Sequence, residues 1–104
     1  MLAGSTEVVV AIEQQPDGSG KLVGFTRALS DGAFRGFVFD LVVGSSHRST
    51  GLNVRLLREL LSRPSLASCR RIELLTRPEL VPFYERFGFE VVSGSVVRME
   101  RHRS

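Results

Sequence analysis

The segment Val43-Gly44-Ser45-Ser46-His47-Arg48-Ser49-Thr50-Gly51-Leu52-Asn53 carries the residue types that hold a phosphate. Small residues at a strand end, followed at once by a helix start, present unpaired backbone N–H groups and the positive end of a helix dipole. Gly51 lets the backbone approach an anion closely, and Arg48 adds a full charge. The same Gly and Ser residues also serve as ordinary helix caps, so this segment alone leaves both readings open. A second candidate is Asp40, the acid inside the apolar run Phe37-Val38-Phe39-Asp40-Leu41-Val42-Val43. An acid placed there needs a purpose or an ionic partner, for which Arg27 and Arg35 are available. Cys69, the single cysteine, stands just before a strand and reads as a structural thiol. One thiol excludes an intramolecular disulfide and a thiolate cluster for zinc or iron and sulfur; no metal site is expected. His47 reads as a solvated loop residue, and His102 carries no signal.

Elements must position these groups. Val8-Val9-Val10-Ala11-Ile12 is a β-branched run closed by the turn formers Gln15-Pro16-Asp17-Gly18-Ser19-Gly20. Leu22-Val23-Gly24-Phe25-Thr26-Arg27-Ala28-Leu29 is a second strand, broken by Ser30-Asp31-Gly32, and the run containing Asp40 is a third. The three form an antiparallel meander, and the nearly continuous apolar character of the third predicts a central strand covered on both faces. Leu52, Leu56, Leu57, Leu60 and Leu61 then recur at helical spacing until Pro64. Ile72-Glu73-Leu74-Leu75 is a fourth strand, parallel to the third through a right-handed crossover. A short helix begins between Pro78 and Pro82 and runs to Phe87, with Gly88 as a left-handed cap. A hairpin of Phe89-Glu90-Val91-Val92 and Val96-Val97-Arg98-Met99 about Ser93-Gly94-Ser95 closes the chain.

At 104 residues, with 42% hydrophobic and 24% charged side chains, the expectation is a single domain over 1–104. A chain of this length buries roughly two thirds of its unfolded surface, enough for one core. Its apolar runs fall far short of the ~20 residues a membrane helix needs, and Met1-Leu2-Ala3-Gly4 is too brief for a signal peptide. The expected location is cytoplasmic, without membrane. A net charge of +3 raises nucleic acid as a partner, but the arginines are dispersed among acids. Only 98–103 is locally basic, which reads as a solvated tail.

The phosphate-type loop Arg48-Ser49-Thr50-Gly51-Leu52-Asn53 is followed, one helix and one strand later, by Phe83-Tyr84-Glu85-Arg86-Phe87-Gly88-Phe89. In this order the two segments resemble the signatures of the GCN5-related N-acetyltransferase (GNAT) superfamily, an Arg/Gln-x-x-Gly-x-Gly/Ala loop and a Phe-Tyr-x-x-x-Gly-Phe motif. Asp31 after the second strand adds to the likeness, which covers nearly the whole chain. The resemblance implies an α+β fold with a mixed sheet, the GNAT-like acyl-CoA N-acyltransferase fold, built as the meander followed by β-α-β-α-β-β. It implies that acetyl-CoA enters a wedge where the third and fourth strands splay, paired with Leu41, Val42 and Val43 like an added strand. The diphosphate would rest on Arg48, Ser49, Thr50, Gly51, Leu52, Asn53 and Val54. Transfer to a primary amine would be direct, in a ternary complex. Tyr84 takes the position of the acid that protonates the leaving thiolate, and Asp40, its pKa raised by burial, is the candidate base, acting through water.

Two departures bear on this. Asn53 stands where the superfamily has Gly or Ala, and Ser49 where Gly is common. Family members also usually start with a strand and two helices, which this chain is expected to lack. The acceptor cleft would then be open, shortened or completed by another subunit, a possible homodimer, and the first strand would be a free edge. The alternative to an N-acetyltransferase is an inactive acyl-CoA-binding or interaction module of the same fold; the acceptor, a small molecule or a protein amine, is not identified by the sequence.

Overall fold

The computed structural model describes residues 5–31, 34–93 and 97–102. Strands β1 (Ser5–Gln14), β2 (Gly20–Ser30) and β3 (Arg35–Val43) form the expected antiparallel meander. The β1–β2 turn closes through Gln15 N–H to Ser19 O at 2.8 Å. Gly18 takes φ +89°, a region costly to residues with a Cβ, and Asp17 Oδ1 accepts from Ser19 N–H and Oγ–H. At the β2–β3 turn Asp31 Oδ1 accepts from Phe34 and Arg35 N–H; Gly32 of that turn lies outside the described residues, as do 94–96 of the closing hairpin.

Helix α1 (Leu52–Ser62) buries Leu56, Leu57 and Leu60, as the leucine spacing predicts. Gly24 makes room for it, since a Cβ there would stand 3.1 Å from Leu56 Cδ1 and 3.0 Å from Val42 O. Pro64 does more than end α1. It opens a short helix α2 (Pro64–Ala67), a position that suits proline because the first helical N–H has no intrahelical partner. Leu66 of α2 is fully buried over Gly36. Strand β4 (Arg71–Thr76) pairs parallel to β3. A 3-10 turn (Pro78–Leu80) leads into α3 (Val81–Glu85), which stops two residues earlier than expected. A turn of Phe87 N–H to Tyr84 O and Gly88 N–H to Glu85 O follows, with Gly88 at φ +88°. Strands β5 (Phe89–Ser93) and β6 (Val97–His102) complete a six-stranded mixed sheet ordered β1-β2-β3-β4-β6-β5.

Two expectations are corrected. β3 is not covered on both faces: Phe39 and Val42 are 50% and 47% exposed. The reason is visible in β2, where Gly24, Thr26, Ala28 and Ser30 are buried while Arg27 and Leu29 between them are exposed, the alternation of a sheet packed on one face. Nor is the 98–102 stretch a solvated tail. It is strand β6, inside the sheet, where Arg98 bonds Glu73 at 3.1 Å and Glu100 at 2.6 Å. Arg71 and Arg35 join Glu73, His102 bonds Glu100, and Arg101 Nε donates to Phe87 O. These carboxylates account for part of the arginine excess. The His102 hydrogen bond, with Arg98, holds the Glu100 carboxyl below the usual carboxylate range. Among the described residues no helix is long and apolar enough to cross a membrane.

Candidate functional site

The centre of the sheet opens. β3 and β4 pair from Arg35 and Arg71 as far as Val38 and Leu74, and there the ladder ends. Beyond it β3 stays bonded only to β2, with Leu41 opposite Thr26, Val42 opposite Phe25 and Val43 opposite Gly24. Leu75 and Thr76 of β4 stay bonded to β6. The β4-facing edge of residues 39–43 is thus left without a strand partner among the described residues, a ready acceptor for extended main chain.

A bulge sets the divergence. The β2–β3 register steps from Ala28 opposite Val38 to Arg27 opposite Asp40, so Phe39 is the extra residue. Thr26, fully buried, anchors it by donating Oγ1–H to Asp40 O at 2.6 Å. On the far side the Asp40 carboxylate lies 3.0 Å from Arg27 Nη2, and Arg27 also covers the Phe39 ring. Asp40 is therefore not the buried acid anticipated, since its side chain is 38% exposed and ion-paired. The bulge turns it outward to Arg27, the nearer of the two arginines named from sequence; Arg35 goes to Glu73.

The split leads to the loop at the start of α1. Gly44 N–H is held by Val23 O, a 3-10 turn covers Ser45–His47, and Ser49 (φ +71°) and Gly51 (φ +82°) are both left-handed. A left-handed Ser explains why Gly suits that place. Gly51 is the N-cap of α1 and has no side chain to cap it, and no acid occupies the first turn. The end carrying Leu52, Asn53 and Val54 therefore keeps a positive dipole with no carboxylate in its own first turn, following Arg48 in the chain, which fits a bound anion. Asn53 folds Oδ1 onto Val54 N–H at 2.9 Å. No atom lies within 4 Å of a Cβ built on Gly51, so the approach is open.

Tyr84 stands on α3 in the same core cluster as Val38 and Leu74, the last paired residues before the split, with Leu41 and Val43 packed against that cluster. Phe83 and Phe89 meet its ring edge-on at 5.0 and 6.0 Å. Burial pushes its phenol above the ordinary 10.0, so the group stays protonated through neutral pH. Cys69 is buried, with Sγ 3.3 Å from Ser30 Oγ and donating to Ser65 O, a structural thiol as expected.

Sequence reasoning missed one pair. His47 is not a solvated loop residue: its Nε2 lies 2.6 Å from Glu13 Oε2 at the end of β1, and its side chain is 20% exposed. The partners are 34 positions apart, and no spacing rule connects them.

Comparison with known proteins bears on these features. The model of the Acetyltransferase (GNAT) domain family matches residues 1–101. The chain is 31% identical over 85 residues to the uncharacterized N-acetyltransferase ycf52 of Pyropia yezoensis, covering 82% of this chain and 49% of that one. It is 30% identical over 99 residues to the chloroplastic serotonin N-acetyltransferase 2 of Oryza sativa subsp. japonica, covering 95% and 50%. The chain thus spans about half the length of these relatives. Its fold is shared with a chain in the NatC complex bound to Gag peptide and CoA, at TM-score 0.74 and 18% identity over 93% of this chain and 71% of that one.

Proposed function

The chain belongs to the GNAT acetyltransferase family, and from that premise we propose that it transfers an acetyl group from acetyl-CoA to a primary amine, as one cytoplasmic acetyl-CoA-binding domain. The observation that carries this reading is the split beyond Val38 and Leu74, which runs to a helix start with glycine at its N-cap and no acid in its first turn. The open edge of Leu41, Val42 and Val43 takes the amide-bearing pantetheine arm as a short added strand. The diphosphate rests on residues 48–54, taken by the Arg48 guanidinium and by N–H groups of residues 48–53, Val54 N–H being held by Asn53 Oδ1. A main-chain N–H of the open edge points at the thioester oxygen as it gains charge.

Two proton movements remain. An alkylamine with reference pKa about 10.4 is free base in only about one molecule in 2,500 at pH 7. Asp40, whose carboxylate lies 3.0 Å from Arg27 Nη2, takes the proton through a water. The nitrogen forms its bond to the acetyl carbon, the carbon–sulfur bond breaks, and the CoA thiolate leaves. Tyr84 donates its phenolic proton to that thiolate, an uphill transfer because the thiolate's conjugate acid lies near 8.5, and the second proton shed by the nitrogen once its bond to carbon has formed restores the phenol.

The Arg27–Asp40 ion pair favours a second reading, an acyl-CoA-binding module without turnover, because it engages the one candidate base. Incubating the chain with acetyl-CoA and a panel of primary amines, and following free thiol, separates the two. Amine-dependent thiol release supports the enzyme; acetyl-CoA binding without release from any amine supports the module. The panel includes arylalkylamines, because the serotonin N-acetyltransferase is among the relatives, and peptide amines.

A further inference from the structure

On the helix-facing side of β2, Gly24 and Ala28 flank Thr26. Thr26 is fully buried and does not line the open cavity of about 600 Å³ between β1 and α1, whose walls include Val9, Val23, Thr50 and Arg55. A hydroxyl buried there costs stability unless it is hydrogen-bonded. It gives its hydrogen to Asp40 O at 2.6 Å, the carbonyl next to the bulged Phe39. A trans peptide points its C=O and its N–H in opposite directions, and no cis bond occurs among the described residues. With the Asp40 carbonyl drawn toward β2, the N–H of the same peptide, that of Leu41, points away from β2, toward the edge left open beyond Val38. The other end of the strand agrees. Gly44 N–H bonds Val23 O on β2, and main-chain groups alternate sides along a strand, so those of Val42 face β2 and those of Leu41 and Val43 face the open edge.

We propose that Thr26 is a positioning residue for acetyl transfer: by holding the Asp40 carbonyl, its hydroxyl aims the Leu41 N–H at the thioester oxygen. This rests on the reading that acetyl-CoA lies along the open edge. Of the two donors there, Val43 is nearer the diphosphate loop and serves the pantetheine arm, while Leu41 stands at the far end, where the thioester arrives. As the amine nitrogen bonds to the acetyl carbon, the carbonyl π pair moves onto oxygen, and Leu41 N–H donates to it there. When the carbon–sulfur bond breaks, that pair returns to the carbonyl and the sulfur leaves with the bonding pair. The hydrogen bond accepted by Asp40 O also polarises the peptide, which strengthens its N–H as a donor. Residue 40 is held a second time through its carboxylate by Arg27, but that pair is half exposed, and the buried Thr26 contact is the firmer hold.

The test compares the wild type with Thr26→Val, which keeps the branched shape without the hydroxyl, and Thr26→Ser, which keeps the hydroxyl. Thiol release with the most reactive amine, calorimetry with acetyl-CoA, and the infrared stretch of the bound, isotope-labelled thioester carbonyl are measured for each. In Thr26→Val kcat should fall at least about tenfold with acetyl-CoA affinity within about twofold of wild type, because an oxyanion donor acts chiefly in the transition state. Thr26→Ser should restore kcat to within about threefold. In the wild type the bound carbonyl should absorb at lower frequency than free acetyl-CoA, and it should move back toward the free value in Thr26→Val but not in Thr26→Ser. A Thr26→Val protein with wild-type kcat and carbonyl frequency overturns the proposal. So does one whose melting temperature and affinity collapse together with kcat, or a Thr26→Ser protein as impaired as Thr26→Val. The carbonyl frequency is read without turnover, so a chain that binds acetyl-CoA but releases thiol with no amine overturns the transfer reading while the frequencies still decide on Thr26. A wild type that binds no acetyl-CoA overturns both.

Discussion

Replacing Tyr84 by Phe removes one oxygen and keeps the ring. Tyr84 is 8% exposed, and its ring meets Phe83 and Phe89 edge-on at 5.0 and 6.0 Å. Edge contacts of this kind contribute about 0.5–1.5 kcal/mol each and survive the substitution. The lost hydroxyl contributes at most about 1 kcal/mol to folding, so the melting temperature should move by less than about 8 °C. General-acid catalysis typically supplies 10²–10⁴ in rate, about 2.7–5.4 kcal/mol of barrier. The expected result is a fall in kcat of at least about a hundredfold, with acetyl-CoA affinity within about twofold of wild type. Thiol-release kinetics, calorimetry and a circular-dichroism melt supply the three numbers. The pH dependence has a definite sign. Burial raises the phenol above 10.0, so the acid form persists across the assay range and Tyr84 sets no alkaline limb below pH 10. A raised native pKa also means that its contribution to stability is complete below the unfolded value near 10 and lost as pH rises through the native one, a loss absent from the Phe variant. A kcat within threefold of wild type in a fully folded, acetyl-CoA-binding variant refutes the acid role; a matching collapse of melting temperature and affinity makes Tyr84 a packing residue.

Gly51→Ala places a Cβ in open space but at φ +82°, which costs about 1–2 kcal/mol, so acetyl-CoA affinity and melting temperature should both fall. Unchanged affinity by calorimetry would mean that this turn does not shape the phosphate loop. Asp40→Asn should leave the fold within about 1 kcal/mol, because the ion pair to Arg27 is half exposed. Its amine-dependent rate should fall at least about tenfold, while acetyl-CoA affinity holds. Leu57→Ala, at a fully buried position under the sheet, should cost about 2–5 kcal/mol in denaturant unfolding.

The strands and α1 were legible because their signals are local: β-branched runs bounded by Gly and Asp, and leucines at helical spacing. Arg48 to Gly51 and Phe83 to Phe89 stood out for the same reason. The outward turn of Asp40 was not legible, because it depends on a one-residue bulge opposite Arg27 and Ala28, and such a register step leaves the strand's composition unchanged. The half-open face of β3 followed from which side α1 packs, a tertiary choice that an apolar run does not encode. The closing strand was legible as far as Met99; its continuation to His102, with its basic residues paired instead of solvated, depended on acids at Glu73 and Glu100 that lie apart in sequence and opposite each other in register. Glu13 and His47 meet only once the meander is folded.

The most direct test is where acetyl-CoA sits. A crystal structure of the chain with acetyl-CoA, or amide chemical shifts on titration with it, should place the pantetheine against Leu41, Val42 and Val43 in the split beyond Val38 and Leu74. The diphosphate should lie at residues 48–54. Density, or shift changes, confined to the cavity between β1 and α1, or no binding at millimolar acetyl-CoA, would contradict the account.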